Sequence, residues 1–208
     1  MRGLFITIEG PDGSGKSTIV KELTKKLDEA QITYITTREP GGIDIAEQIR
    51  AIILSPKNTT MDVRTEALLY AASRRQHLVE KILPALEKGI HVICERFVES
   101  SLAYQGYGRG IGIDKVWMIN QFAIDDTLPD ITIFLDVNPE IGLARINANR
   151  KNLDRLDLEG IEFHKRVYEG YNIVKEMFRD RIIVVDANRT IDEVVEDVYQ
   201  IIYKKIKG

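Results

Sequence analysis

Five short apolar runs, separated by stretches with apolar residues every three or four positions, set the plan of this chain. The runs cover 4–9, 32–37, 90–95, 131–136 and 181–186, which predicts strands; the first, apolar and β-branched, reads as buried. Between them the spacing turns helical. Ile45, Ile49, Ile52 and Ile53 form one stripe, and Leu78, Val79, Ile82, Leu83 and Leu86 form another. A last stripe of Ile191, Val194, Val195, Val198, Ile202 and Ile206 predicts a closing helix. Strands alternating with helices in this way predict an α/β fold, a five-stranded parallel sheet with helices on both faces. The chain contains no repeat, low-complexity stretch or Pro/Ser-rich linker, so residues 1–208 read as one domain.

In such sheets ligands gather beyond the carboxyl ends of the strands. The first strand leads into Gly10, Pro11, Asp12, Gly13, Ser14, Gly15, Lys16 and Ser17, with Thr18 next. Ile19, Val20, Leu23 and Leu27 then fall on one helical face. Strand, glycine-rich turn and helix thus arrive in the order a phosphate-binding loop requires. Glycines let successive N–H groups converge on phosphate oxygens, and the helix N-terminus adds partial positive charge. Lys16 would reach the outer phosphates and the Ser17 hydroxyl would ligate Mg²⁺. The chain is therefore expected to bind a nucleoside triphosphate.

The other strand ends carry arginines beside carboxylates. Arg38-Glu39-Pro40-Gly41-Gly42 follows the second run and Glu95-Arg96-Phe97 ends the third. A basic stretch with Arg145, Arg150, Lys151 and Arg155 follows the fourth, and Asp186-Ala187-Asn188-Arg189 the fifth. Arginine grips phosphate bidentately and stays charged, so this placement implies a second anionic ligand facing the triphosphate.

Composition narrows the class. Apolar residues make up 44% and charged residues 29%, with a net charge of −3, which offers no global case for nucleic-acid binding. No apolar run approaches the ~20 residues of a membrane span. The start, Met1-Arg2-Gly3 leading directly into a strand, leaves no room for a signal peptide, so a cytoplasmic location is expected. The single cysteine, Cys94, lies within an apolar run and reads as a buried small side chain in a reducing compartment. His77, His91 and His164 lack metal-ligand spacing and read as structural or solvated. Asp136, two residues before Asn138-Pro139, reads as a helix start.

Four segments together resemble the bacterial thymidylate kinases of the P-loop nucleoside monophosphate kinase family. They are the phosphate loop, Arg38-Glu39-Pro40-Gly41-Gly42, the stretch from Glu66 to Arg75 (EALLYAASRR), and Arg96-Phe97 with Ser100-Ser101-Leu102-Ala103-Tyr104-Gln105-Gly106. The likeness runs in register over nearly the whole chain and implies a P-loop NTPase fold with a short basic lid at about 145–157. It implies transfer of the ATP γ-phosphoryl group to dTMP with Mg²⁺, by a homodimer. Lys16 and Ser17 would then hold ATP phosphates and metal, and Asp12 would face the reacting phosphates. Arg38 and Arg96 would grip the dTMP phosphate, with Glu39 in support. Tyr70 would stack on thymine, while Arg74, Ser101 and Gln105 would read its polar edge and Tyr104 would crowd the sugar 2′ position. Arg150 in the lid would supply the cation for the γ-phosphate, and Arg145 with Ala187-Asn188 would lie near adenine.

The match departs in three places. The family's Asp-Arg-Tyr is here Glu95-Arg96-Phe97, and its usual Phe is here Tyr70. Glu95 keeps the charge expected near the metal on a longer arm; Phe97 loses a hydroxyl and reads as packing; Tyr70 keeps a stacking face. Two rival readings share the scaffold: another nucleoside monophosphate kinase, and a weakly active nucleotide-binding module.

Overall fold

The structure, a computed structural model, describes residues 2–149, 155–156 and 159–208. Strands β1 (Phe5–Glu9), β2 (Tyr34–Arg38), β3 (His91–Glu95), β4 (Ile131–Asp136) and β5 (Ile182–Asp186) pair in the order β2-β3-β1-β4-β5, all parallel. Each expected run became a strand. Register aligns their ends: Glu95 pairs with Ile8 on one side and Arg38 on the other, and Asp136 pairs with Asp186. The residues following β2 and β3 therefore emerge on one side of the β1 loop, and those following β4 and β5 on the other.

Helices α1 (Lys16–Glu29), α2 (Asp44–Leu54), α3 (Val63–His77), α4 (Leu83–Glu87), α5 (Val98–Ser101), α6 (Ile113–Ile124), α7 (Pro139–Asn149), α8 (Ile161–Met177) and α9 (Ile191–Lys207) cover the sheet. Alternation along β1 splits its side chains between two cores, as the two-residue period of a strand demands. Ile6 and Ile8 pack with Leu23 and Leu27 of α1 and Val198 and Ile202 of α9. Phe5 packs on the opposite face with Leu78, Ile82, Val116 and Val174. Cys94 is fully buried there, as expected, and burial pushes its thiol well above the ordinary range.

Two expectations need correction. The run at β5 is less covered than a two-sided burial pattern predicts, with Ile183 at 40% and Val184 at 50% exposure, because β5 is an edge strand. Asp136 does not start α7. It ends β4 and accepts from Tyr168 Oη at 2.9 Å, while Asn138 Oδ1 receives the Glu140 amide at 2.8 Å.

Two π-helical segments interrupt the helices. One, Leu78–Ile82, joins α3 to α4; the other, Leu102–Gly108, follows α5. The wider turn of the second brings the neighbours Tyr104 and Gln105 both into buried positions. Glycine makes its contact with α8 possible: a Cβ on Gly170 would lie 2.8 Å from Tyr107 Cβ, and one on Gly108 2.9 Å from Val167 Cγ2.

Candidate active site

One cavity of about 800 Å³ opens over the carboxyl ends of the strands. Its floor is the β1–α1 loop. Gly10, Gly13 and Gly15 adopt φ of 144°, 76° and 87°, a region L side chains avoid, so the loop can turn its main chain toward a ligand. The loop is braced from α7: a Cβ on Gly13 would lie 2.1 Å from the Gly142 carbonyl oxygen. Lys16 begins α1 and curls over the loop, donating to the carbonyls of Gly10 (3.0 Å) and Pro11 (2.9 Å) and to Ser14 Oγ (3.2 Å). Burial and the nearby Arg96 draw its ammonium down to about 8, against the pull of Asp12, Glu95 and Glu9.

Arg96 sits at the centre. Its φ of 67° is uncommon for a non-glycine residue and turns the guanidinium back over the β1 loop. There it donates to Asp12 Oδ1 (2.5 Å), the Gly10 carbonyl (3.2 Å), Ser100 Oγ (3.0 Å), and the hydroxyls of Tyr171 (3.0 Å) and Tyr104 (3.3 Å). Tyr104 Oη donates to the other Asp12 oxygen at 2.7 Å. Burial alone would raise the Asp12 carboxyl, but Arg96 and Lys16 hold it at about 2. The buried Glu9 carboxylate braces this centre from below, accepting from the Phe97 amide (2.6 Å), Ser100 Oγ (2.7 Å) and Tyr171 Oη (3.1 Å). Burial and the neighbouring Glu99 raise its pKa to about 7.

On the β2 side, Arg74 is 1% exposed and almost fully engaged by protein. Its Nε donates to Glu39 Oε2 (2.6 Å), one terminal nitrogen to Ser101 Oγ (3.0 Å) and to Asn120, and the other to the Phe97 carbonyl (2.9 Å). Glu39 also meets His77 Nδ1 at 3.1 Å, and His77 Nε2 meets Thr37 Oγ1 at 2.7 Å, which makes this histidine structural. Phe97 is a packing residue, fully buried edge-on to Phe5 and under the Arg74 guanidinium. Arg38 is exposed and paired with Glu47 at 2.8 Å. Tyr70, Ser101, Tyr104 and Gln105 complete this side of the cavity.

On the other side, Asp12 through Thr18, Arg145 and Ala187 line the cavity. Arg145 reaches the carbonyls of Gly13 and Ala187. Asn188 does not join them. Its side chain turns to Asp186 Oδ1 (2.7 Å) and a smaller separate cavity, whereas Arg189, Thr190 and Ile191 take its place. Gly10 and Pro11, at the start of the loop, are not among the lining residues; their carbonyls accept from Lys16. Arg150 and Lys151 lie outside the described residues. Arg155 points away from the triphosphate side. It pairs with Glu66, and its Nε donates to the Ile53 carbonyl at 2.9 Å.

Sequence patterning does not single out Arg50, yet it lines the cavity and donates to the Pro40 carbonyl at 2.8 Å. Its only signal is a cation inside the apolar stripe of α2. With it, among the described residues, seven cations (Lys16, Arg38, Arg50, Arg74, Arg96, Arg145 and Arg189) and three carboxylates (Asp12, Glu39 and Glu95) line the cavity. A chain of net charge −3 has thus gathered positive potential in one cleft, as a polyanionic ligand requires.

The site also has donors for a hard cation. Ser17 Oγ donates to Glu95 Oε2 at 2.8 Å, so a hydroxyl and a carboxylate stand side by side at the start of α1. Mg²⁺ takes oxygen ligands, keeps several waters, and commonly uses one or two protein groups plus phosphate oxygens. This pair fits that demand.

The family model for thymidylate kinase matches residues 8–198. A thymidylate kinase of Clostridium novyi is 58% identical over 198 residues, covering 95% of this chain and 97% of that protein. Thymidylate kinases of Bacillus cytotoxicus and Bacillus mycoides are 55% and 54% identical over 207 residues, covering 99% of this chain and 100% of each.

Proposed function

This chain belongs to the thymidylate kinase family, and we infer that it transfers the γ-phosphoryl group of Mg-ATP to dTMP, giving dTDP and ADP. The observation that carries this reading is one shared cavity, in which the glycine-rich loop and a second, arginine-rich wall face each other. A phosphate oxygen of dTMP attacks the γ-phosphorus while the bond to the β-phosphate oxygen breaks. The moving group spreads negative charge over its oxygens, so catalysis is mostly positioning and neutralisation. Main-chain amides of residues 13–18 and Lys16 hold the donor phosphates. Arg38, Arg50 and Arg96 hold the acceptor phosphate; the cation for the γ-phosphate is the role the resemblance implies for Arg150, which lies outside the described residues. Arg96 already grips a carboxylate oxygen of Asp12, an anion of the kind that an incoming phosphate would supply. Ser17 and Glu95 would hold Mg²⁺, whose charge offsets that of the donor phosphates.

Tyr70 offers its ring to thymine, and Arg74, Ser101 and Gln105 meet the polar edge. We read residues 1–208 as one kinase domain in a reducing cytoplasm, with a lid at about 145–157. An ADP-release assay with dTMP, dUMP, dCMP and AMP tests the assignment. The thymine methyl is worth about 1–3 kcal/mol in an apolar pocket, so dUMP is expected to react some 10–200-fold less efficiently. Cytosine presents a different donor pattern, strands buried polar groups, and is expected to fall further still. Equal rates for dCMP and dTMP would remove the thymine assignment; no ADP release with any deoxynucleoside monophosphate would remove the kinase itself.

The homodimer has its support in α3 and α6. Leu68, Met118 and Phe122 are 55%, 60% and 92% exposed, and Arg75 ties the two helices through the Ala123 carbonyl at 3.4 Å. Large apolar side chains grouped on neighbouring helices suit an interface between copies. Light scattering is expected to give twice the chain mass, and a monomer at micromolar concentration would exclude the assembly.

A further inference from the structure

Glu66 lies behind the cavity wall, one turn into α3, and the reaction above makes no use of it. It is 1% exposed. Its carboxylate faces three donors: Gln105 Nε2 at 2.8 Å, Arg109 Nε at 3.4 Å, and Arg155. The group stands between two guanidinium ions and in the first turn of a helix, surroundings that favour negative charge. An ionised carboxylate can only accept hydrogen bonds. The amide of Gln105, one of the two faces a glutamine can present, must therefore turn its nitrogen to Glu66. Its oxygen is left over. Gln105 is 1% exposed and lines the cavity, and no hydrogen bond from the described residues ends on Oε1. That oxygen is not among the buried side-chain atoms that lack a partner; it is open to the cavity, an acceptor on the ligand side.

We propose that Glu66 is a positioning residue for base selectivity, fixing Gln105 so that an acceptor, never a donor, meets the base. The inference rests on the reading that Gln105 faces the nucleobase. Thymine and uracil carry an N–H at ring position 3 and satisfy that acceptor. Cytosine carries a lone pair there, which would oppose the amide oxygen and leave both groups unpaired in a dry pocket. A free glutamine would resolve the conflict by turning over, and its own sequence position gives no preference. Glu66 removes that freedom, so discrimination is built one residue behind the contact. The same carboxylate anchors Arg155, and the Arg155 amide donates to the Leu54 carbonyl at 3.1 Å. Loosening this anchor would alter turnover of every acceptor alike. Selectivity is therefore the readout that separates the two effects.

Glu66→Gln tests this. A glutamine at 66 can donate or accept, so the Gln105 amide is free to turn. The ratio of kcat/KM for dTMP over dCMP is expected to fall by about 10-fold or more, with dCMP turnover rising in absolute terms, which a merely damaged protein would not show. A folded variant that keeps the wild-type ratio overturns the proposal. Should the variant fail to fold, the wild-type dTMP complex decides by nitrogen-15 NMR. Slow-exchanging Gln105 side-chain amide protons in the complex and in the free protein alike support the proposal. Protons that exchange freely until dTMP arrives overturn it. A wild-type enzyme that fails to prefer dTMP would instead refute the assignment of the pocket to thymine, a distinct result.

Discussion

Arg96→Ala is expected to lower kcat for dTMP phosphorylation by about 10³-fold or more, the scale of removing an arginine that stabilises a transferring phosphoryl group. Arg96 spans the junction of the two halves of the cavity, touching the Gly10 carbonyl and Asp12 in the β1 loop and Tyr104 on the acceptor side. A guanidinium there reaches an acceptor phosphate without leaving its supports, because Ser100 and Tyr171 hold its other edge and are themselves fixed by Glu9. The protein should stay folded. Asp12 keeps the Tyr104 hydroxyl as a partner and Lys16 nearby, so no carboxylate is stranded. Alanine meets the positive φ at a cost close to that already borne by arginine. Arg96→Lys should recover little, since an ammonium carries the charge without the planar fork. Steady-state kinetics beside a thermal melt provide the check. Turnover within a few-fold of the parent in a folded variant would take Arg96 out of the chemistry.

The strand pattern and the phosphate loop were legible because each is local. A two-residue period with β-branched side chains and a glycine turn before a helix are written in consecutive residues. The acceptor side was legible in outline, as arginines at strand ends that call for a second anion, and in detail only through the resemblance, since Arg38, Arg74 and the stretch holding Arg96 and Gln105 are three separate segments that the fold brings together. What could not be read was pairing. Whether Arg155 faces phosphates or a buried carboxylate depends on Glu66, which lies 89 positions away. Asn188 and Arg189 are neighbours, yet an Asx-type contact with Asp186 turns the first away and leaves the second on the cavity. Arg50 hid in an amphipathic stripe that its apolar neighbours already explained. The shortfall at β5 has the same origin, because an apolar run does not record whether its strand lies at a sheet edge.

Arg74→Met carries the largest expected effect on stability, a loss of about 3–5 kcal/mol, the range for breaking a buried ion pair from one side. The partner left behind decides this. The Glu39 side chain is 2% exposed, and Arg74 is its cation at 2.6 Å. His77 already meets the other carboxylate oxygen through Nδ1 and Thr37 through Nε2, so the oxygen that Arg74 leaves gains no new donor from it. Ser101 Oγ, Asn120 Oδ1 and the Phe97 carbonyl lose a donor in the same step. Methionine fills much of the volume and isolates the electrostatic part of the loss. At 2–4 °C per kcal/mol for a chain of this size, Tm should fall by roughly 6–20 °C. Adding Glu39→Gln should restore part of it, since an amide is far cheaper to bury than an unpaired carboxylate, and the double variant should exceed the sum of the singles in stability. The sequence segment Arg38-Glu39-Pro40 would then owe its glutamate to the arginine one helix away, with the dTMP pocket held in shape by a pair that never meets the reacting atoms. An Arg74→Met variant within about 1 kcal/mol of the parent, measured by urea unfolding, would show that Glu39 finds relief elsewhere and that the pair is not what holds this wall of the cavity.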